Sequence, residues 1–258
     1  MAGTQAKILI LGGTAEARTL AQRLAPRADL AVTLSLAGRT AAPAAQGVPV
    51  RIGGFGGVAG LKEYLLKERI DALIDATHPY ADTISANAVA AARHVNVPFV
   101  ALRRPPWTAV AGDRWTDVTD ARDAVRALGK ESRRVLVALG RQELAPLTAA
   151  PQHFYLIRSV DPVDPPLTLP QAAYITARGP FDEADERALL LAHKIDAVIA
   201  KNSGGSATYG KIAAARALGI EVILLRRPSA PAADAVETIE EVMVWLDHTL
   251  TSAAARGV

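Results

Sequence analysis

Cysteine is absent from the 258 residues, which excludes disulfides, thiol nucleophiles and iron–sulfur ligation. The five histidines are scattered, with no HxxxH or HxH spacing, so no metal site is expected. Lysine and arginine never run longer than two and the net charge is +3, too weak and dispersed for nucleic acid. No stretch approaches the ~20 apolar residues of a membrane span. The opening MAGTQAKILILGG has no basic region before a long apolar segment, so no signal peptide is expected. Aromatics are 5% while half the residues are hydrophobic, a composition that suits small-residue helices packed closely on sheets. These exclusions predict a soluble cytoplasmic protein whose ligands are small molecules, acidic ones included. Nothing in them sets an oligomeric state.

What is present is an internal repeat. Residues 69–105 and 194–228 both open on Ile-Asp-Ala (Ile70 to Ala72, Ile195 to Ala197), share Ala-Ala-Arg in the middle and close on Arg-Arg-Pro. They differ in the loop after the first apolar run: Ala76-Thr77-His78-Pro79-Tyr80 in one, Lys201-Asn202-Ser203-Gly204-Gly205 in the other. Ligands of open α/β sheets sit outside the carboxyl ends of strands, so two scaffolds with different strand-end loops predict two halves facing across one cleft.

Unbroken apolar runs at Lys7–Leu11, Leu30–Leu36, Val50–Ile52, Ala72–Asp75 and Phe99–Leu102 alternate with helical stretches near 15–24, 58–68 and 81–94. That alternation predicts βαβ units on a mostly parallel sheet. Pro105 to about Asp117 reads as a crossover linker. A second set starts at Arg134, with strands at 154–157, 174–177 and 222–225, helices at 184–193 and 207–218, and a last helix at 236–250. The expected fold is α/β, two doubly wound parallel-sheet subdomains, 1–106 and 107–258.

Several strand-end loops carry candidate chemistry. Gly12-Gly13-Thr14 leads from the first strand into a helix, where unpaired N–H groups and glycine admit a phosphate. G-x-G-x-x-G has a third glycine that this loop lacks, and a plain tight turn is the alternative. The second strand ends on Ser35, Arg39 and Thr40 with no acid. An acid there holds the ribose of NAD, whereas an arginine fork suits a 2′-phosphate. NADPH is therefore expected over NADH; a solvated surface arginine is the alternative. Gly53 and Gly54 either wrap the cofactor or form a flexible loop. Thr77 caps the next helix, and His78 and Tyr80 face nicotinamide or substrate unless they are structural. Lys201, Asn202, Ser203, Gly204 and Gly205 form a second anion nest, for cofactor phosphates or a substrate carboxylate. Arg141, Arg158 and Arg178 each follow an expected strand; with parallel strands they share one rim with Lys201, an arrangement for a ligand bearing several carboxylates.

The stretches ILILGGTAEAR, SLAGRT, RIGGFGG, DATHPYA, LRRPPW and KNSGG, in order from Lys7 to Arg227, resemble the precorrin-6A reductase family of cobalamin biosynthesis. The resemblance implies two Rossmann-like subdomains with the ligands in the cleft between them, NADPH on 1–106 and substrate-binding loops on 107–258. It implies hydride transfer from NADPH to a conjugated double bond of precorrin-6A, giving precorrin-6B. The substrate would be a metal-free tetrapyrrole with many carboxylates; related enzymes act on the cobalt-containing ring. Gly12, Gly13, Thr14, Ser35, Arg39, Thr40, Gly53, Gly54, Thr77, His78, Tyr80 and Lys201 to Gly205 would hold the cofactor. Arg141, Arg158, Arg178, Lys201 and Tyr209 would meet the substrate. No catalytic residue is certain; His78, Tyr80 and Lys201 are the candidates, Tyr209 is a further conceivable proton donor, and no metal is implied.

Overall fold

The computed structural model describes residues 5–38 and 45–256. Its first elements are β1 (Ala6–Leu11), α1 (Ala15–Leu24), β2 (Leu30–Leu36), β3 (Val50–Ile52), α2 (Gly57–Glu68), β4 (Ala72–Asp75), α3 (Asp82–Val95) and β5 (Phe99–Leu102). Next come β6 (Trp115–Val118), α4 (Ala121–Ala127), β7 (Arg134–Ala138), two short 3-10 turns, β8 (Phe154–Ser159) and β9 (Ala172–Thr176). The chain closes with α5 (Glu183–Ala192), β10 (Ala197–Lys201), α6 (Gly210–Ala217), β11 (Glu221–Leu225), β12 (Ala235–Val236) and α7 (Ile239–Arg256). No helix among the described residues is long and apolar enough to cross a membrane.

The unbroken apolar runs follow from burial on both sheet faces. Ile8 and Ile10 of β1 pack with Leu20 and Leu24 of α1 and Val242 and Leu246 of α7. Their neighbours Leu9 and Leu11 pack on the other face with Leu61 and Leu65 of α2 and Ala88 and Ala91 of α3. In the second sheet Leu136, Val198 and Leu224 pack with Leu190 of α5 and Ile212 of α6. Every strand pairing among the described residues is parallel.

The strands form two six-stranded sheets, in the orders β12-β5-β4-β1-β2-β3 and β6-β11-β10-β7-β8-β9. Counted from β1 and from β7, each is the doubly wound order 3-2-1-4-5 with a sixth strand beyond the fifth. The sequence repeat is β4-α3-β5 and β10-α6-β11, which hold the same places in the two sheets. Its aspartates do the same job in each: Asp71 Oδ2 accepts the N–H of Lys7 at 2.7 Å and Asp196 Oδ2 that of Arg134 at 3.0 Å. Both lace the start of the fourth strand to the start of the first.

The sixth strands depart from the expected layout. The chain forms two compact units, one of the residues up to Pro105 together with those from Pro228 onward, the other of Pro106–Arg227. Residues 228–258, expected with the second half, therefore belong with the first. Ala235 and Val236 pair with Ala101 and Leu102, and the Arg103 N–H donates to Val236 O at 2.7 Å. The second unit's sixth strand is its first in sequence: Trp115–Val118, partly read as linker, pairs with Val222–Leu225. It leads into α4, capped by Asp120, whose side chain accepts from the N–H groups of Arg122 and Asp123. Each Arg-Arg-Pro marks a place where the chain leaves a fifth strand of one unit for the sixth strand of the other. Helix α6 starts at Gly210 rather than 207, against the backbone of Phe181 and Asp182, where a Cβ would lie 2.5 Å from Phe181 O.

Because Leu246 is fully buried in the first unit's core, Leu246→Ala is expected to destabilise that unit by about 2–5 kcal/mol. Denaturant unfolding of the whole chain measures this. A loss below about 1 kcal/mol, the range of a surface substitution, would detach α7 from the first core.

Candidate functional site

In the first unit, Gly12 and Gly13 carry the chain from β1 to α1. The Gly12 N–H donates to Ser35 O at 2.9 Å, and a Cβ there would lie 2.6 Å from Leu34 Cδ1. Gly13 has φ +116°, a value that favours glycine, and a Cβ there would meet nothing within 4 Å. One glycine is needed for packing and the other lines open space. Thr14 caps α1: its Oγ1 accepts the Ala17 N–H at 3.0 Å and donates to Ala76 O at 2.8 Å. The remaining N–H groups of the first turn, with the positive end of the helix dipole, favour an anion. Glu16 in that turn is ion-paired with Arg104. The two share a small hollow with Thr14, Ala76, Thr77 and Pro79.

The loop after β4 is organised by a residue the sequence reading did not single out. Asp75 is fully buried, and a buried carboxylate needs partners. It accepts from Thr77 Oγ1 at 2.6 Å, from the Thr77 N–H at 3.1 Å and from Arg103 Nη2 at 3.0 Å. Thr77, expected at the cofactor, is buried, and its N–H and hydroxyl are both bonded to Asp75. Arg103 belongs to the first Arg-Arg-Pro, and β5 brings it beside β4, because Asp75 pairs with Ala101. An acid closing an apolar strand was the available signal. His78 Nδ1 accepts the Tyr80 N–H at 3.3 Å, and the two rings lie 5.5 Å apart.

At the ends of β2 and β3, Ser35 is buried and its Oγ lies 3.3 Å from Arg51 Nη1. Arg51 also donates to Gly53 O at 2.5 Å and Gly54 O at 2.8 Å, with its guanidinium 3.8 Å from the centre of the Phe55 ring. This arginine folds the glycine loop against itself, and a Cβ on Gly53 or Gly54 would meet nothing within 4 Å. Arg39 and Thr40 lie outside the described residues.

In the second unit, Lys201 ends β10 and pairs with Glu143 Oε2 at 2.5 Å; that oxygen also accepts the Gly140 N–H at 3.0 Å. Lys201 is thus brought to the end of β7, where exposed Arg141 donates to Pro162 O at 3.3 Å. Arg178 is exposed just past β9. Gly204 and Gly205 have φ of +66° and +72°, left-handed values that favour glycine at both positions. Ser203 is buried, with its Oγ 3.4 Å from Thr208 Oγ1.

Three further candidates have their side chains engaged within the second unit. Arg158 is buried, and both its terminal nitrogens are spent on Glu186 (Nη2 to Oε2 3.0 Å), with Phe181 over the guanidinium. It braces β8 against α5 and is not presented on the rim. Asn202 exchanges hydrogen bonds with the Trp107 backbone, Oδ1 accepting its N–H at 2.8 Å and Nδ2 donating to its carbonyl at 2.9 Å. It ties the 201–205 loop to the segment after the first Arg-Arg-Pro. The Tyr209 hydroxyl receives Arg216 at 3.2 Å and its ring packs on Trp107. Among the described residues no three His, Asp or Glu side chains are grouped to hold a metal ion.

A family model described as "Precorrin-6x reductase CbiJ/CobK" matches residues 7–247. A precorrin-6A reductase from Sinorhizobium sp is 55% identical over 247 residues, spanning 96% of this chain and 95% of that protein. One from Rhodobacter capsulatus is 52% identical over 98% of this chain and 99% of its own length. A solved structure titled "CobK precorrin-6A reductase" superposes with a TM-score of 0.90 at 50% identity, covering 95% of this chain and 97% of its own.

If Arg158 serves the fold, Arg158→Ala strands Glu186 in the interior and is expected to cost about 3–5 kcal/mol, while Arg158→Met with Glu186→Leu recovers most of it. Denaturant titration decides. Unchanged stability with lost substrate affinity would return Arg158 to the binding rim.

Proposed function

The chain belongs to the precorrin-6x reductase family, and we propose that it transfers hydride from NADPH to a conjugated double bond of precorrin-6A, giving precorrin-6B. The observation that carries this reading is the match along nearly the whole chain to relatives named for that reaction. Both carry the name of the metal-free substrate, which favours that ring over the cobalt-containing one.

The first unit fits the cofactor. Gly13, Gly53 and Gly54 leave open space where side chains would stand, and the start of α1 supplies unpaired N–H groups to a diphosphate. Gly12, Thr14 and Ser35 shape that strand-end surface. Arg39 and Thr40, following the second strand without an acid, would take the 2′-phosphate. His78 and Tyr80 would lie toward the nicotinamide. When bound, NADPH supplies the hydride, and a proton completes the reduction.

In the second unit Lys201, Arg141 and Arg178, with the loop from Ser203 to Gly205, would receive substrate carboxylates. Lys201 already pairs with Glu143, so an incoming carboxylate competes for it. A conjugated, polarised ring is itself the electron sink. The residues therefore have to orient the two ligands more than supply strong acid. His78, Tyr80 and Lys201 are the candidates to hold the proton.

Two outcomes follow. Arg39→Ala is expected to weaken NADPH about 10- to 100-fold, the value of charge-assisted hydrogen bonds, and to leave NADH nearly unchanged; NADPH fluorescence titration measures both. An equal loss for the two would remove Arg39 from the 2′-phosphate. His78→Ala is expected to lower turnover by less than the ~100-fold that an obligatory general acid supplies. Complete loss with NADPH binding intact would overturn the positioning account.

A further inference from the structure

Beneath the 201–208 loop lies a cation with no part in the reading above. Lys211, in the first turn of α6, is one of the few buried charged residues. Its Nζ donates to Thr208 O at 2.6 Å and stands 5.0 Å from the centre of the Trp107 ring. The indole of that tryptophan donates from Nε1 to Gly205 O at 2.8 Å. Lys211 and Trp107 thus grip two carbonyls of one loop, those of Thr208 and Gly205, while Ser203 and Thr208 face each other across it.

The charged groups facing Lys211 are the buried pair Arg158 on β8 and Glu186 on α5. With Lys211 protonated the three carry a net charge of +1; without its proton they are neutral. Burial first, and then the charge of Arg158, push the Lys211 ammonium down to about 7, against a smaller favourable effect of Glu186. The buried ammonium is therefore held far less firmly than a solvated one. An anion seated on the loop above favours the charged form, and by linkage the charged form favours the anion.

We propose that Lys211 is a buried positioning cation that takes up a proton when a carboxylate-bearing ligand seats on the 201–208 loop, so that this loop binds anions through the protonated lysine. The inference rests on the functional reading that the loop receives the substrate. It identifies Lys211 as a residue that acts through the loop carbonyls and does not touch the ligand. Binding then weakens as pH rises from 7 to 9, by up to about tenfold per pH unit, because a proton must be collected with the ligand. Stability runs the opposite way with pH. An unfolded Lys211 holds its proton up to its ordinary range while the folded one releases it near 7, so the fold gains stability as pH rises between those limits.

The test is calorimetric titration of the full-length protein with precorrin-6A in the presence of NADP+, which cannot reduce it. Titrations at pH 8 in buffers of different ionisation enthalpy count the protons taken up. Roughly one proton per ligand is expected for the unmodified protein. No uptake and a flat pH dependence of affinity are expected for Lys211→Met, and also for Lys211→Arg, which keeps a permanent charge. Carbon-13 NMR of the Lys211 ε-carbon, assigned by its absence from the Lys211→Met spectrum, provides a readout on the unmodified chain. It should titrate near neutrality when free and move upward with ligand. Binding without proton uptake, uptake undiminished in Lys211→Met, or an ε-carbon titrating in the ordinary lysine range overturns the proposal while leaving the function intact. Absence of binding heat in the unmodified protein overturns the functional reading and this inference with it.

Discussion

The all-parallel pairing of both sheets is the constraint on which the remaining features depend. Parallel strands send all their carboxyl ends to one edge, and every loop singled out for chemistry follows a strand. In the first unit this gathers the glycines after β1, Ser35 at the end of β2, the glycine loop after β3 and the His78–Tyr80 loop after β4. In the second it gathers Arg141, Arg178 and the Lys201 loop. Sequence distance between these residues is large, but the sheet places them on two rims with no further device. The same pairing demands helices on both faces, which is why the strands are unbroken runs of apolar residues.

Within that frame the fold is laced at both ends of corresponding strands. Asp71 and Asp196 fix the amino ends. At the carboxyl end of the first unit, buried Asp75 holds Thr77 and Arg103, so the loop bearing His78 is anchored by an ion pair between neighbouring strands. The second unit has Ala200 at the corresponding position and uses neutral tethers instead: Asn202 to Trp107, and Trp107 to Gly205. The two Arg-Arg-Pro sequences sit where the chain passes between units. Arg103 ties back to Asp75, and Arg227 donates to Asn202 O at 2.8 Å, so both crossings are fastened to a strand-end loop.

Much of this was legible in the sequence. Long apolar runs ending in glycine or small polar residues gave the strands of both sheets, and the Ile-Asp-Ala and Arg-Arg-Pro repeats gave the duplication. What stayed hidden was short or relational. β12 is two residues, Ala235 and Val236, with no periodicity to detect. β6 reads Trp-Thr-Asp-Val, too polar for the buried-strand pattern because it is an edge strand. An arginine after a strand looks the same whether it reaches solvent, as Arg178 does, or turns inward to a glutamate 28 residues on, as Arg158 does. Asn202 and Tyr209 have site-like identities, yet their polar atoms are claimed by Trp107 and Arg216, partners that only the folded chain reveals. Lys211 followed no strand and fell in no loop motif; its burial is a product of α6 packing.

The proposed function requires direct hydride transfer from NADPH held on the first unit to a metal-free tetrapyrrole. The most direct measurement is turnover of precorrin-6A with NADPH deuterated at each face of nicotinamide C4 in turn, followed by mass spectrometry of the product. One deuteron from one face and none from the other is the predicted result. A reduced product carrying no label from either face would contradict the claim.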